Sequence, residues 1–321
     1  MLAVIVAGLT CVCNATVASG QQAAVANGYC GVVGDVDRDG SLSIGDVSGL
    51  IDDLICGSPV NDFNDVDGNG QLNIADVTSM VDNLMTVTLQ STHIYAANGL
   101  TFRLVAVQGG TFTMGATSDQ GSDVNDDEKP VHKVTLPGYF IAVTQVTQEL
   151  WEAIMDDNPS GANFDPRCPV DNVSWNDCQE FIGRLNALTG LCFRLPTEAE
   201  WEFAARGGVK SKRYRYSGSN TATQVAWCED NSGDVTHPVA SKRCNELGLY
   251  DMSGNVWEWC QDWYGNYSGE AQTSPVGPES GLEHVVRGGC MRGHSRFCRN
   301  AYRMSYSPST RRIDVGLRLA L

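Results

Sequence analysis

The sequence predicts a compact α+β domain, preceded by a small all-α module built on calcium-binding loops. Residues 101–321 contain only a few segments with helical periodicity, and beyond Arg206 short apolar runs alternate with Gly, Asn, Ser and Pro. That pattern predicts many short strands joined by long loops. Residues 31–90 instead contain two acidic loops, each followed by an amphipathic segment. We therefore expect two domains of different character.

Residues 1–20 are predicted to be an export signal. Residues 1–13 are almost wholly apolar, and small residues follow at 15–20. The apolar run is too short to cross a bilayer as a helix, so no membrane span is expected. The chain has 12 cysteines but no Cys–x–x–Cys pair, which indicates an oxidising compartment and disulfides. These features predict a protein that is secreted or held in the cell envelope.

The acidic charge is concentrated near the N-terminus. The formal net charge is −16, and residues 31–90 contribute −10 of it through eleven Asp and one Arg. Because these aspartates recur at fixed spacing, they indicate cation-binding loops rather than a solvated acidic tail. Nothing in the sequence forms a basic stripe, so nucleic acid is not an expected partner.

Two twelve-residue segments, DVDRDGSLSIGD and DVDGNGQLNIAD, realign at a 30-residue offset. Glycine at loop position 6 makes the sharp turn of a calcium loop, and oxygen-bearing residues stand at the ligand positions. The predicted ligands are Asp35, Asp37, Asp39, Ser41 (carbonyl), Ser43 and Asp46 in the first loop, and Asp65, Asp67, Asn69, Gln71 (carbonyl), Asn73 and Asp76 in the second. Two loops in register predict two calcium ions.

Each loop leads into one amphipathic helix. The apolar positions of the two helices repeat each other and are Val47, Leu50, Ile51 and Leu54, then Val77, Met80, Val81 and Leu84. No comparable helix precedes either loop, so residues 29–89 resemble a type I dockerin, the calcium module that docks onto cohesins in polysaccharide-degrading assemblies. Loop positions 10 and 11 lack the hydroxyl pairs usual in dockerins. A calcium-stiffened spacer without a partner is therefore the alternative.

A linker is predicted at residues 90–100, which are polar and lack periodicity. The main domain then covers residues 101–321. Alternation predicts strands at Thr101–Val107, at Thr111–Met114 and at Tyr139–Val143.

Three helices have clear start signals. Thr147 is the expected cap of the first helix, and Ser174 that of the second, which should bury Phe181, Leu185 and Leu188 before it ends at Gly190. Thr197 and Glu200 form a capping box at the start of the third. The paired carboxylates of Glu198 and Glu202 could act as acid and base, but beside Arg194 and Arg206 a structural ion network is the favoured interpretation.

The most distinctive stretch is GLYDMSGNVWEWCQDWY, Gly248–Tyr264. Oxygen-bearing side chains in its first half and a Trp–x–Trp alternation in its second half predict a polar turn that leads into a strand. A turn of this kind suits a hard cation such as calcium. The alternative is a core strand with a polar turn and no ion.

GLYDMSGNVWEW resembles the signature of the sulfatase-modifying-factor family, whose best-known members are formylglycine-generating enzymes. Further blocks of that family stand in the expected order: Met114–Ile141, PVDNVSWNDC, RLPTEAEWEFAARGG, VVRGG, CRNAYR and VGLRLA. The resemblance covers Thr101 to the C-terminus and implies a C-type-lectin-like architecture. It also implies a calcium ion held by the side chains of Asp251 and Glu258 and by the carbonyls of Gly254 and Val256.

The family reaction oxidises a sulfatase cysteine to formylglycine, with oxygen and a copper(I) ion held by two cysteine thiolates. Alignment on Gly288–Gly289 places the second of these cysteines at Cys298, whereas the first falls on Gly293. A serine of the enzymes falls on Cys290. The resemblance thus implies an incomplete catalytic pair. A soft metal held by Cys290, His294 and Cys298 is one alternative, and a disulfide between the two cysteines is favoured over it.

Two functions follow from these observations. The chain is either an exported formylglycine-generating-enzyme-like protein, carried by its dockerin to a cohesin-bearing scaffold, or a non-catalytic lectin-like module that binds a peptide or glycan. A sulfatase or peptide is the expected substrate in the first case, and copper(I) is expected only if the reaction survives. The missing thiol at Gly293 predicts little or no activity.

Overall fold

The computed structural model describes residues 50, 51, 54, 71–77, 91–95 and 99–321. The chain divides into two compact units, Met1–Leu84 and Met85–Leu321. None of the described helices has the length and apolar composition needed to cross a bilayer.

In the first unit, Leu50, Ile51 and Leu54 are helical, as the amphipathic pattern predicts. A second helical segment covers residues 74–77. At its start Asn73 Oδ1 accepts from Ala75 N at 2.8 Å, and Asp76 Oδ2 accepts from Asn73 N at 2.8 Å. Asn73 and Asp76, two of the predicted calcium ligands, therefore cap the helix that follows the loop.

Most of the predicted calcium loops lies outside the described residues. This holds for Asp35, Asp37, Asp39, Ser41, Ser43, Asp46, Asp65, Asp67 and Asn69. Gln71, Asn73 and Asp76 are the predicted ligands within the described part. The two calcium sites and the dockerin-like module stay predictions.

The second unit begins with an antiparallel sheet of β1 (Ser91–Tyr95), β2 (Thr101–Val107) and β5 (Tyr139–Ala142), in the order β1-β2-β5. Ser91 pairs with Val105, and Tyr95 pairs with Thr101. The predicted linker is therefore wrong over residues 91–95, because pairing with β2 makes these polar residues a strand that alternation alone does not reveal. The strands predicted near Thr101 and Tyr139 are confirmed.

A second antiparallel pair, β3 (Gly110–Met114) with β4 (His132–Leu136), is extended by the short strand β9 (Gln272–Thr273), which runs parallel to β4. The short strands β6 (Ala226–Trp227) and β7 (Ser253–Gly254) form a parallel pair of their own.

The central sheet has the order β11-β10-β8-β12. Its strands are β8 (Trp257–Trp263), β10 (His284–Arg287), β11 (Arg303–Tyr306) and β12 (Val315–Leu317). The Trp–x–Trp stretch is the predicted strand, β8. Both of its faces are covered, because Glu258 is as fully buried as Trp259.

Three helices begin where their caps predict. They are α1 (Gln148–Met155), α2 (Trp175–Thr189) and α3 (Glu198–Ala205), followed by the short α4 (Ala222–Val225). Thr197 and Glu200 form the expected capping box, and Gly190 ends α2 in the left-handed conformation. Leu188 is an error in the predicted core, since it is 59 % exposed on the last turn of α2.

The apolar interior forms two main clusters on either side of β8. One gathers α1 and α2 against Trp257 and Trp259, with Trp151 stacked on Phe181 at 5.0 Å. The other gathers α3 against β2, β4 and β5 around Trp201. The polar turn that precedes β8 is therefore held between two packed cores.

Candidate functional site

The turn from Asp251 to Glu258 directs its oxygens at one point, and the Gln145 amide nitrogen lies at that point. Gln145 Nε2 is 3.2 Å from Asp251 O, 3.3 Å from Gly254 O, 3.0 Å from Val256 O and 3.0 Å from Glu258 Oε1. An amide nitrogen has only two protons for these four oxygens. The turn therefore offers more acceptors than Gln145 can satisfy.

The Glu258 carboxylate is already paired with a buried cation. Arg318 donates to both of its oxygens at 2.9 and 2.8 Å, and Trp201 Nε1 donates to Oε2 at 2.7 Å. Glu258 and Arg318 are both fully buried. The charge that a calcium ion would balance at this carboxylate is thus balanced by a guanidinium.

The predicted calcium ligands match an ion site only in part. Gly254, Val256 and Glu258 present their oxygens as predicted, but Asp251 does so through its carbonyl, because its carboxylate accepts from Ala240 N at 2.8 Å. Burial raises the pKa of that carboxyl group to about 6. Gln145 Oε1, on the same amide group as Nε2, is buried without a hydrogen-bond partner among the described residues. Calcium at this turn therefore stays a prediction.

The cysteine-bearing segment follows the Gly288–Gly289 turn, where both glycines have positive φ values of 96° and 77°. A Cβ at Gly289 would lie 2.7 Å from Cys298 Sγ. Only glycine therefore allows Cys298 to pack against this turn.

Cys290 is a buried thiol directed at a carboxylate. Its Sγ donates to Asp314 Oδ2 at 3.6 Å, and Asp314 in turn accepts from Arg312 Nε at 2.8 Å. Burial, with the nearby Asp314 charge, raises the pKa of Cys290 to about 12. Cys290 is consequently protonated at neutral pH.

Cys298 has a neighbour that the sequence did not reveal. It is fully buried in a small cluster with Cys228, whose own thiol donates to Asp230 Oδ2 at 3.9 Å. The neighbouring Cys298 thiol lowers the pKa of Cys228 to about 7, and Cys228 together with burial raises the pKa of Cys298. All described cysteines are free thiols, so the predicted disulfide between Cys290 and Cys298 is not present.

Gly293 stands beside Cys290 in this segment. A Cβ built on Gly293 would lie 3.4 Å from Cys290 Sγ and 3.1 Å from the Phe297 ring. His294 Nδ1 instead accepts from Arg296 N at 3.1 Å and caps a 3-10 turn. Among the residues that the structure describes, no three His, Cys, Asp or Glu side chains form a metal-binding group.

A cleft of about 440 Å³ opens over Cys290 and Gly293. Its aromatic side chains are Trp257, Phe297, Tyr302 and Tyr306, and Arg292, Arg312 and Asp314 supply charge. The Phe297 and Tyr302 rings lie 4.9 Å apart, and the Trp257 and Tyr302 rings 5.9 Å apart. Aromatic faces beside a few charged groups are typical of sites that bind small polar ligands.

The acidic pair on α3 belongs to a structural ion network, as favoured from the sequence. Glu198 binds Arg303 through both oxygens at 2.8 and 2.6 Å, and Glu202 accepts from Arg206 at 2.9 Å and from Arg287. All of these side chains are at least nine-tenths buried. They therefore have no role as an exposed acid and base.

The family model that matches the chain is the sulfatase-modifying factor enzyme 1-like domain, over residues 95–321. The chain is 35% identical to the chaperone protein LppX of Paenibacillus barcinonensis, over 57% of this chain and 89% of that protein. It is 31% identical to the formylglycine-generating enzyme of Streptomyces coelicolor, over 67% of this chain and 88% of the enzyme.

The structure is similar to the Treponema denticola variable protein 1, with a TM-score of 0.65 and 32% identity, over 72% of this chain and 98% of that one. The chain spans only 38% of the length of the serine/threonine-protein kinase Pkn1 of Chlamydia trachomatis, to which it is 33% identical.

Proposed function

Because this chain belongs to the sulfatase-modifying factor enzyme 1-like family, we propose that it keeps a ligand-binding cleft at the position of the family's reaction and makes little or no formylglycine. The proposed ligand is a peptide or glycan segment. The proposal rests on the absence of a suitable pair of thiols in the cleft: Gly293 has no side chain, and the Cys290 thiol is directed at Asp314.

Copper(I) binding requires thiolates that converge. Gly293 supplies no thiolate. Burial near Asp314 raises the pKa of Cys290 to about 12 and keeps it protonated, and the neighbouring Cys228 together with burial raises the pKa of Cys298. The residues present therefore do not fit the family's metal. A reaction that depends on copper(I) held by two thiolates therefore lacks its two metal ligands at this position.

The cleft retains groups that bind a ligand without reacting with it. The Tyr302 and Tyr306 rings offer apolar faces to a sugar ring or to a peptide side chain. Arg312 is held in place by Asp314 at 2.8 Å, and its guanidinium lies 5.1 Å from the Tyr306 ring centre. An oriented guanidinium beside aromatic faces can bind a ligand carbonyl or hydroxyl group.

A second candidate is the family reaction itself. Cys290 lines the cleft, and relatives of this chain include proteins named formylglycine-generating enzyme. This candidate requires Cys290 to lose its proton and to turn from Asp314 towards Cys298. In that case a sulfatase or a sulfatase peptide is the substrate.

The proposed setting is that of an exported protein with a calcium-binding, dockerin-like N-terminal module. The two in-register loops at residues 35–46 and 65–76 support that module, and the apolar residues 1–13 support export. A cohesin-bearing scaffold is the proposed partner, in a context of polysaccharide degradation.

The two candidates are separated by mass spectrometry of a sulfatase-motif peptide incubated with the protein, copper(I) and oxygen. We expect no conversion of the peptide cysteine to an aldehyde by the wild-type chain. Oxygen-dependent turnover that is lost in Cys290→Ser would overturn the binding proposal and establish the enzyme.

Ligand binding is tested on peptide and glycan arrays, followed by titration of the ligands found. Tyr306→Ala should weaken binding about tenfold, because it removes one aromatic wall of the cleft. Phe164→Ala is the matched control, since Phe164 is an aromatic side chain that is 76 % exposed and does not line the cleft. Equal weakening by both variants would argue against the cleft.

A further inference from the structure

A second cleft in the C-terminal domain is basic, although the chain as a whole carries a net charge of −16. Two segments, KSKRYRY (Lys210–Tyr216) and SKRCNE (Ser241–Glu246), contain six cationic residues and one acidic residue. The six cations are Lys210, Lys212, Arg213, Arg215, Lys242 and Arg243. None of the six takes part in an ion pair with the residues that the structure describes.

The fold brings these two segments together around a cleft of about 430 Å³. Lys212 and Tyr214 line it from the first segment, and Lys242 and Arg243 from the second, with Tyr250 alongside. Lys212 and Arg243 are exposed, and Lys242 is half-buried. Three cations and two phenol rings therefore face one small space, with Glu246 as the acidic residue among its lining groups.

Close backbone contact fixes the position of one segment against the other. Gly218 has a φ of 91°, and a Cβ there would lie 2.8 Å from Cys244 O. The buried Asn245 amide donates to Ser217 Oγ at 3.0 Å and to Ala204 O at 2.8 Å. The wall of the cleft is thus attached to the end of α3.

The Lys242 side chain is held in a defined conformation. Its Nζ donates to Thr223 O at 2.9 Å and lies 3.8 Å from the Trp227 ring centre. Side chains held in this way lose less conformational entropy when they bind a ligand.

We propose that this cleft binds a saccharide unit that carries a sulfate or carboxylate group. Lys and Arg form strong charge-assisted hydrogen bonds with such oxyanions, and the faces of Tyr214 and Tyr250 suit a sugar ring. A nucleic acid does not fit this site equally well. It needs a basic stripe along many phosphates, whereas the rest of this acidic chain would repel it.

The test is calorimetric titration of the full chain with three disaccharides of one backbone that carry a sulfate ester, a uronic acid carboxylate, or no charge. We expect the charged sugars to bind and the neutral sugar to bind at least tenfold more weakly. The difference should shrink as salt rises from about 50 to about 200 mM. The sulfated and carboxylated arms distinguish the two sources of the anion. No binding of either charged sugar, or equal binding of the neutral one, would overturn the proposal.

A double variant locates the site. Lys212→Gln with Arg243→Gln should weaken binding of the charged sugar at least tenfold with little change in Tm, because both side chains are exposed. Lys133→Gln is the matched control, since Lys133 is also exposed, forms no ion pair with the described residues and does not line the cleft. Unchanged affinity in the double variant, or equal loss in the control, would contradict the assignment.

Discussion

Cys298 lies in one buried cluster with Cys228, a residue that is far from it in the sequence. Both side chains are fully buried, and the Cys298 thiol lowers the pKa of Cys228 to about 7. The cysteine that the sequence resemblance aligns with a catalytic thiolate therefore lies beside Cys228 rather than in a disulfide with Cys290.

We expect the small oxidant diamide to join Cys228 and Cys298 in a disulfide, because the two residues share one buried cluster and the pKa of Cys228 is lowered to about 7. Diamide accepts the two electrons and the two protons that the thiols release. Peptide mass spectrometry without reduction would identify the cross-linked pair. The bridge should be absent in Cys228→Ser and present in Cys290→Ser, and a Cys290–Cys298 bridge in the wild type would instead support the pairing predicted from the sequence.

Glu258→Ala should lower the free energy of unfolding by about 3–5 kcal/mol, because it leaves the buried Arg318 without its carboxylate. Urea unfolding measures this loss. Glu180→Ala is the control, since Glu180 pairs with Arg184 at the surface and should contribute less than about 1 kcal/mol.

The same measurement tests for an ion at the Asp251–Glu258 turn. Because Gln145 Nε2 fills the point where the oxygens converge, we expect the Glu258→Ala loss to be equal with calcium and with a chelator. A loss that appears only when calcium is present would place an ion there and contradict this role of Gln145.

Asp262 should make the domain less stable as pH rises. Burial and the nearby Glu198 charge raise the pKa of Asp262 from 3.8 to about 8. The folded state therefore binds a proton that the unfolded state has lost, and this contribution to stability declines between about pH 4 and pH 8. Asp262→Asn keeps an oxygen for the Glu198 backbone N–H and cannot ionise. The Tm of this variant, relative to the Tm of the wild type, should rise between about pH 4 and pH 8. A Tm difference that does not change with pH would refute the raised pKa of Asp262.

Calcium should bind residues 31–90 with a stoichiometry of two. The prediction rests on the two in-register loops and on the small size of the segment, for which ion binding supplies folding free energy. Calorimetric titration of the full chain should show two calcium sites in the wild type and one in Asp65→Ala. Asp62→Ala is the control and should keep two sites, because Asp62 lies outside the loop. Equal circular dichroism with calcium and with a chelator would count against coupled folding.

Local signals in the sequence predicted the helix starts correctly. Thr147, Ser174 and Thr197 each accept a hydrogen bond from a backbone N–H three residues ahead. A cap and its partner lie within one turn, so their identities alone decide the hydrogen bond. The Trp–x–Trp strand and the family blocks were readable for the same reason: each is a contiguous pattern.

The tertiary structure alone decided which distant groups meet. Arg299 is fully buried, and Glu128, far from it in the sequence, binds it through two hydrogen bonds of 2.6 and 2.7 Å. Residues 91–95 became a strand through pairing with β2. Cys228 and Gln145 carry no local motif, yet one contacts Cys298 and the other fills the predicted calcium turn. Contacts between residues far apart in the sequence depend on how the sheets and helices pack, and no pattern in a short window of sequence specifies them.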